Sequence, residues 1–463
     1  MFAGCPLRAS DGSKITITGE GMGNAQSTAA TTGPSAESQP FAISESYRKY
    51  VLALLLVVGV FNFVDQQIFA ILLQSIKQEF GFSDTELGFL GGLAFGLFYA
   101  TMGFPIAWMA ERYSRRNIIS IAIGLWSGMT AVCGLATGFV SLFFARVGVA
   151  VGEAGGIPPS QSLIADYFPP ERRGTTLAVL GTIFPIGGMI GFLVGGWVTQ
   201  YYGWRAALMV VGLPGVLLAL LVRLTLREPP RGFSEDTEVS GPLPSLLSSI
   251  WYLLSNRSWR NIMIGGALFG MAAWGATTWV PAYFIRVHGM TPAEIGTWLA
   301  FVIGAAGVAG SLLGGNITDR VVRKTGDARW YMWISAGALL AAVPFAFFTY
   351  LWPKPVPALL VMIIPLVLAN MFIGPFGAML LGLAGVQRRA ISAALFLFMN
   401  SIIATGMGPL VVGIISDMFS AEYGNNSLRY SILTLVLVAN TWAAFHFYLG
   451  GRHLREDLAA AQK

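Results

Sequence analysis

Ala107-Trp108-Met109-Ala110-Glu111-Arg112-Tyr113-Ser114-Arg115-Arg116 and, 208 residues later, Gly315-Asn316-Ile317-Thr318-Asp319-Arg320-Val321-Val322-Arg323-Lys324 repeat one pattern. Each sets an acid and several bases at the end of a long apolar run. A second pair agrees, with Glu171-Arg172-Arg173 answered by Gln387-Arg388-Arg389 at an offset of 216. Matched loops at nearly constant offset mean two copies of one unit. The loops therefore fix the symmetry of the chain, and the apolar runs around them fix its class.

The chain has 463 residues, 55% hydrophobic and only 11% charged, with a mean hydropathy of +0.64. A soluble domain carries about 25% charged residues, so this one cannot cover a water-facing surface. A membrane span needs about 20 apolar residues. Apolar runs predict spans at 48–75, 84–110, 116–136, 139–165, 173–200 and 205–226, then 259–286, 292–318, 328–351, 356–385, 389–417 and 427–450. The fold class is an all-α membrane protein of twelve transmembrane helices in two six-helix halves.

The predicted organisation is a tail at 1–45, a six-helix bundle at 46–226, a linker at 227–258, a second six-helix bundle at 259–451 and a tail at 452–463. The N-terminal segment is rich in Ser, Thr, Gly and Ala without apolar periodicity, which reads as disorder. The linker carries Glu228-Pro229-Pro230-Arg231-Gly232 and the acidic run Glu235-Asp236-Thr237-Glu238. Its later part, Leu246 to Leu254, reads equally as an interfacial helix or as ordinary linker. With both termini inside, 21 of the 29 Lys and Arg residues fall on the cytoplasmic side and five on the other. The positive-inside rule thus supports a multi-pass protein of the cell membrane (the inner membrane in a bacterium) with both termini cytoplasmic.

Two cysteines and three scattered histidines predict neither a disulfide scaffold nor a metal centre. No cofactor is expected. The net charge of +6 is explained by the inner loops, so nucleic acid is not an expected partner. A membrane enzyme would need a nucleophile with its base, or a metal cluster. No such set is visible, and an enzyme is not expected. A non-transporting receptor is left open by these residues. Two repeated six-span halves are a plan used by secondary transporters, with the substrate site between the halves near the midplane.

The two loops resemble the Gly-x-Leu-x-Asp-Arg-x-Gly-Arg-Arg/Lys motif of the major facilitator superfamily. The second matches at Gly315, Asp319, Arg320, Arg323 and Lys324. The first has Ala107, Glu111 and Ser114 in place of Gly, Asp and Gly. Gly181-Thr182-Ile183-Phe184-Pro185-Ile186-Gly187-Gly188 resembles the Gly-Pro-rich signature of antiporters, one residue short. A narrower resemblance is to the Spinster family. It rests on Asn62-Phe63-Val64-Asp65, Trp126-Ser127, Arg146 to Ala154, and Glu228-Pro229-Pro230-Arg231-Gly232. The chain departs from that family at Ala110-Glu111, for Gly-Asp, and at Asp65-Gln66, for Asp-Arg. The resemblance implies the major facilitator fold, alternating access by a monomer in the lipid bilayer, and transport of lysolipids or sphingolipids such as sphingosine-1-phosphate.

Ionisable groups in hydrocarbon are costly and usually face a cavity and pair. Asp65 and Arg146 lie at similar depth in antiparallel spans, so a salt bridge between them is expected. Glu153 follows Arg146 by seven residues, nearly two helical turns, on the same face. Asp65, Arg146 and Glu153 form the expected proton-coupling set, with protons as second partner. Arg146 and Glu153 are also candidate head-group contacts, together with Asn62, Trp274, Thr277, Thr278, Asn370, Phe396 and Asn400. A cavity charged on one side and aromatic on the other suits a small amphiphilic lipid, or else another amphipathic organic anion or drug. Glu111, Arg112, Arg115, Arg116, Asp166, Arg172 and Arg173 in one half, and Asp319, Arg320, Arg323 and Lys324 in the other, are the candidate charge latch between facing states.

Overall fold

The protein is described by a computed structural model covering residues 43–231, 233 and 245–461. The predicted tail up to residue 42 and the acidic run Glu235-Asp236-Thr237-Glu238 lie outside the described residues. Among the described residues, ten continuous helical stretches are long and apolar enough to cross a membrane. Two of them each hold two spans. Glu171–Thr225 folds back at Gly203 (φ 82°) and Arg389–Ala461 at Gly424 (φ 52°). Both backbones enter the left-handed region, where a Cβ is disfavoured, so glycine marks each hairpin. The twelve spans predicted from the sequence are all present.

Spans one to four are Glu45–Phe80, Asp84–Arg112, Arg115–Cys133 and Phe139–Tyr167. Spans five and six share Glu171–Thr225. Spans seven to ten are Arg257–His288, Pro292–Thr325, Trp330–Leu351 and Pro355–Ala384, and eleven and twelve share Arg389–Ala461. The linker's later part is a helix, Leu246–Ser255, started by the Ser245 hydroxyl on Ser248 N–H. The last helix runs on to Ala461, correcting the predicted tail from 452. Polar contacts hold this extension in place. Arg455 pairs with Asp327 at 2.7 Å, and Asp457 accepts from Ser258 N–H at 2.8 Å.

Small residues set how closely the spans approach. Gly187, Gly191 and Gly195 face span one, where a Cβ on Gly191 would meet the Val64 carbonyl at 3.1 Å. Across the two halves, a Cβ on Gly196 would meet Pro292 O at 2.4 Å, and one on Gly296 would meet Phe192 O at 2.4 Å. Spans five and eight thus touch backbone to backbone, as small-residue faces permit in membranes. Spans two and eleven carry π-helical segments, Phe89–Leu93 and Asn400–Met407, packed on one another. A wider turn re-aims side chains and recurs at functional sites; here it turns Asn400, Ser401 and Thr405 toward the interior.

Candidate functional site

A cavity of about 590 Å³ lies between spans one, two, four and five of the first half and seven and eleven of the second. That falls within the ~300–1,000 Å³ typical of small-molecule sites. Asn62, Gln66, Tyr99 and Gln161 give it a polar wall, and Leu55, Val58, Leu177 and Phe184 an apolar one. Trp274, Phe396 and Asn400 enter from the second half. Trp274 meets Phe63 edge-on, with ring centroids 6.2 Å apart. A narrow pocket next to this cavity, sharing Gln66, Phe95, Trp274 and Thr405 with it, is walled by Arg146, Phe69 and Thr278.

Thr277 and Asn370 are the exceptions. Both line a separate cavity of about 230 Å³ lined by the second half's own helices, and Asn370 donates to Leu366 O at 2.7 Å. They stand outside the central cavity, which corrects the expectation for these two residues.

The ionisable set is buried together, at 2% exposure for Asp65, 3% for Arg146 and 0% for Glu153. The expected Asp65–Arg146 salt bridge is not made. Asp65 Oδ2 accepts from the Thr130 hydroxyl instead, and Oδ1 has no hydrogen-bond partner. The Arg146 guanidinium stands over the faces of Phe69 and Phe95, at 4.3 and 5.1 Å, and its Nε is unpartnered. Such stacking contributes up to about 2 kcal/mol when desolvated. Glu153 Oε2 accepts from Gln66 Nε2 at 2.7 Å, and Oε1 is unpartnered. Gln66 also reaches Asn62 Oδ1 at 3.4 Å, and Asn62 Nδ2 is itself buried without a partner. Thr130 and Gln66 are site residues that sequence reasoning missed. Gln66 was visible there only as a departure from the family pattern.

The candidate latch divides. Arg115 is buried and bonds Asp166, the Ser162 side chain, Glu228 Oε1 and Pro229 O, while Arg116 N–H reaches Glu228 Oε2 at 2.8 Å. Arg172 pairs with Glu45 at 2.8 Å, and Arg173 caps the Ala165 and Phe168 carbonyls. Glu111 and Arg112 are exposed, 3.9 Å apart, with Arg112 lying on Trp108. In the second half Asp319 accepts from Tyr331 at 3.1 Å, and Arg320, Arg323 and Lys324 are exposed without an ion pair among the described residues. The buried acid there is Asp327, held by Arg329 and Arg455. The Arg329 guanidinium keeps its carboxyl well below the usual range. All these pairs join elements of one half only.

The bonds that cross between halves lie at the opposite face. Arg286 of span seven holds both Asp84 oxygens of span two, at 2.7 and 3.0 Å, and its Nε donates to Gln74 of span one. Asp417 of span eleven accepts from the N–H groups of Asp84 and Thr85 at 3.0 and 2.7 Å, and the Ser416 hydroxyl donates to Asp84 at 2.6 Å. Lys77 adds a contact to Asp84 at 2.8 Å. Trp197–Thr297 and Gln200–Ala293 bonds join spans five and eight there. The halves are therefore latched at the face away from the arginine-rich loops. The sequence reading counted Lys77 and Arg286 only as charges on the sparse side.

Glu228 gives the arginine-rich face a pH dependence. Burial raises its pKa, but bonds from Arg116 N–H, Arg115 and Ser114 outweigh that and hold the carboxyl below its ordinary value of 4.5. A lowered carboxyl stabilises the fold fully above about pH 4.5 and loses that contribution as pH falls through its folded-state pKa. Glu228→Gln should lower unfolding stability at pH 7 by about 1.5–3 kcal/mol, the range for a bond to a charged group. The loss should shrink below about pH 4. An equal loss at pH 3.5 and pH 7 by thermal unfolding in detergent would contradict this assignment.

The model of the Major Facilitator Superfamily matches residues 55–409. An MFS-type efflux pump of Mycolicibacterium smegmatis is 30% identical over 408 residues, 88% of this chain and 93% of the pump. Protein spinster homolog 1 of Homo sapiens is 26% identical over 418 residues, 84% of this chain and 78% of the human one. The crystal structure of a bacterial homolog to the human lysosomal transporter Spinster, inward-facing and unoccupied, superposes with a TM-score of 0.81 at 28% identity. It covers 90% of this chain and 99% of its own.

Proposed function

The chain belongs to the Major Facilitator Superfamily and is related to the Spinster transporters, and on that premise we propose that it moves lysolipid- or sphingolipid-like amphiphiles, such as sphingosine-1-phosphate, in a proton-coupled cycle of alternating access. The carrying observation is one cavity with two chemistries. Arg146, with an unpartnered Nε, walls the narrow pocket beside the cavity, and Leu55, Val58 and Leu177 line the cavity toward the arginine-rich face, beside Ser160 and Gln161. An anionic head group at Arg146 and a hydrocarbon tail along Leu55, Val58 and Leu177 would satisfy both.

Asp65 and Glu153 are the proposed proton carriers. Each is buried with one oxygen bonded and one unpartnered. An anion so placed is costly, and protonation removes the cost. Arg146 bonds neither carboxylate here, so its choice of partner is free to change with protonation and with the facing state. In this reading the arginine-rich face is cytoplasmic, since 21 of 29 Lys and Arg residues lie on it, and one chain suffices because the cavity lies within it.

The test is uptake of labelled sphingosine-1-phosphate or a lysophospholipid into proteoliposomes, with and without an imposed pH gradient. Gradient-dependent movement is expected, falling at least roughly tenfold in Arg146→Ala, the worth of one lost contact of about 1.4 kcal/mol. Failure of folded protein to move any such lipid would reject the lipid substrate. Efflux of other amphipathic organic anions or drugs is the second reading, favoured by the 30% identity to an efflux pump over 93% of its length. Drug-driven, gradient-dependent flux without lipid flux would select it.

A further inference from the structure

The helix Leu246–Ser255 presents two unlike faces. Ser249 and Leu253 are fully buried, Leu253 packing with Trp259, Leu380 and Leu383 at the arginine-rich end of the second half. The opposite face leaves Leu247 70% and Trp251 69% exposed, and Leu246 at the helix start is 62% exposed. A firmly anchored helix does not keep a tryptophan and leucines in water without cost. Only Asn256 separates it from span seven, which sets it at the level where the spans leave the membrane. Tryptophan at that level is the residue that favours the membrane–water boundary.

Cations flank the same helix. The Arg388 guanidinium lies 4.2 Å over the Tyr252 ring, with its Nε buried and unpartnered. Arg260 donates to the Leu254 carbonyl at 3.1 Å. Neither has a carboxylate partner among the described residues, and Arg257 and Arg389 beside them are exposed. A phosphate could bond the free guanidinium edges while its acyl chains cover Leu247 and Trp251.

We infer that this helix and its arginines form a docking site for an anionic phospholipid of the leaflet at the arginine-rich face. The occupant is a lipid because one surface offers both an apolar face at that level and unpaired guanidinium groups. Arg388 and Arg389 also open span eleven, which carries Phe396 and Asn400 into the central cavity. A bound head group would therefore fix the entry to a cavity-lining helix.

The experiment is native mass spectrometry of the full chain released from mixed phosphatidylglycerol and phosphatidylcholine micelles. Wild type should retain phosphatidylglycerol about thirtyfold more tightly, as ~1 kcal/mol for each of two arginines implies. Arg260→Gln with Arg388→Gln should bring the two lipids within threefold, whereas Arg260→Lys with Arg388→Lys should keep most of the preference. Only intact folded ions are scored, so a variant that unfolds does not imitate a loss of binding. Equal retention of both lipids by wild type would overturn the site, including the case in which the acidic linker run occupies the arginines. So would a preference unchanged in the Gln variant, or displacement of the lipid by millimolar inorganic phosphate.

Discussion

Asp65→Asn loses pH-gradient-driven accumulation by up to about 150-fold while exchange of substrate across the membrane continues; this is the expected result in proteoliposomes. Coupling free energies of ~1–3 kcal/mol correspond to about 5- to 150-fold, and removing the carrier should forfeit all of it. Folding should survive. Asparagine has the same shape, and its carbonyl can still accept from Thr130. The buried oxygen that now lacks a partner would become part of a neutral amide, which is less costly to bury than a carboxylate. Glu153→Gln should act in the same direction, since the Gln66 amide can still find a carbonyl there. Accumulation in Asp65→Asn with the wild-type pH dependence would remove Asp65 from the coupling set.

What the sequence could say about this site, it said through depth. Counting residues along antiparallel spans put Asp65 and Arg146 at similar depth, with Glu153 nearly two turns along the same face of span four, and all three are buried. Depth does not give side-chain reach. The Phe69 and Phe95 rings come from spans one and two, and no linear pattern announces that they will carry the guanidinium. Rotation about a helix was the second limit. Thr277 and Thr278 both lie about one turn from Trp274, within 60° of it on the helical wheel. Thr278 joins the pocket beside Arg146, and Thr277 falls into the second half's own cavity. The span pattern was more legible because about 20 consecutive apolar residues speak for themselves, and both hairpin glycines were present to be read. The last span was read to 450 from its apolar run, while the helix itself runs on through charged residues to Ala461. Those residues include the groups that bind Asp327 and Ser258.

Arg286→Ala should shift the protein toward the state open at the face away from the arginine-rich loops. Arg286 and Asp84 are 8% and 3% exposed at their side chains and are joined by two bonds. Removing one partner of a buried pair costs about 3–5 kcal/mol. Lys77, Ser416 and the bonds to Asp417 still hold Asp84, so about 2 kcal/mol is the better figure. The cost falls on the closed state alone, because opening that face would let water reach Asp84. A bias of ~2 kcal/mol moves the ratio of facing states about thirtyfold. Spin labels at Tyr202 and Glu422, one on each half at this face, should report a longer distance in the variant. The arginine-rich motifs drew attention because they repeat. This latch does not repeat, since its acid and base come from unlike spans, two and seven. Its only linear trace is an acid opening span two and a base closing span seven, at the same membrane face. Distances unchanged between wild type and Arg286→Ala would mean that the glycine contact of spans five and eight, rather than the charges, keeps the face closed.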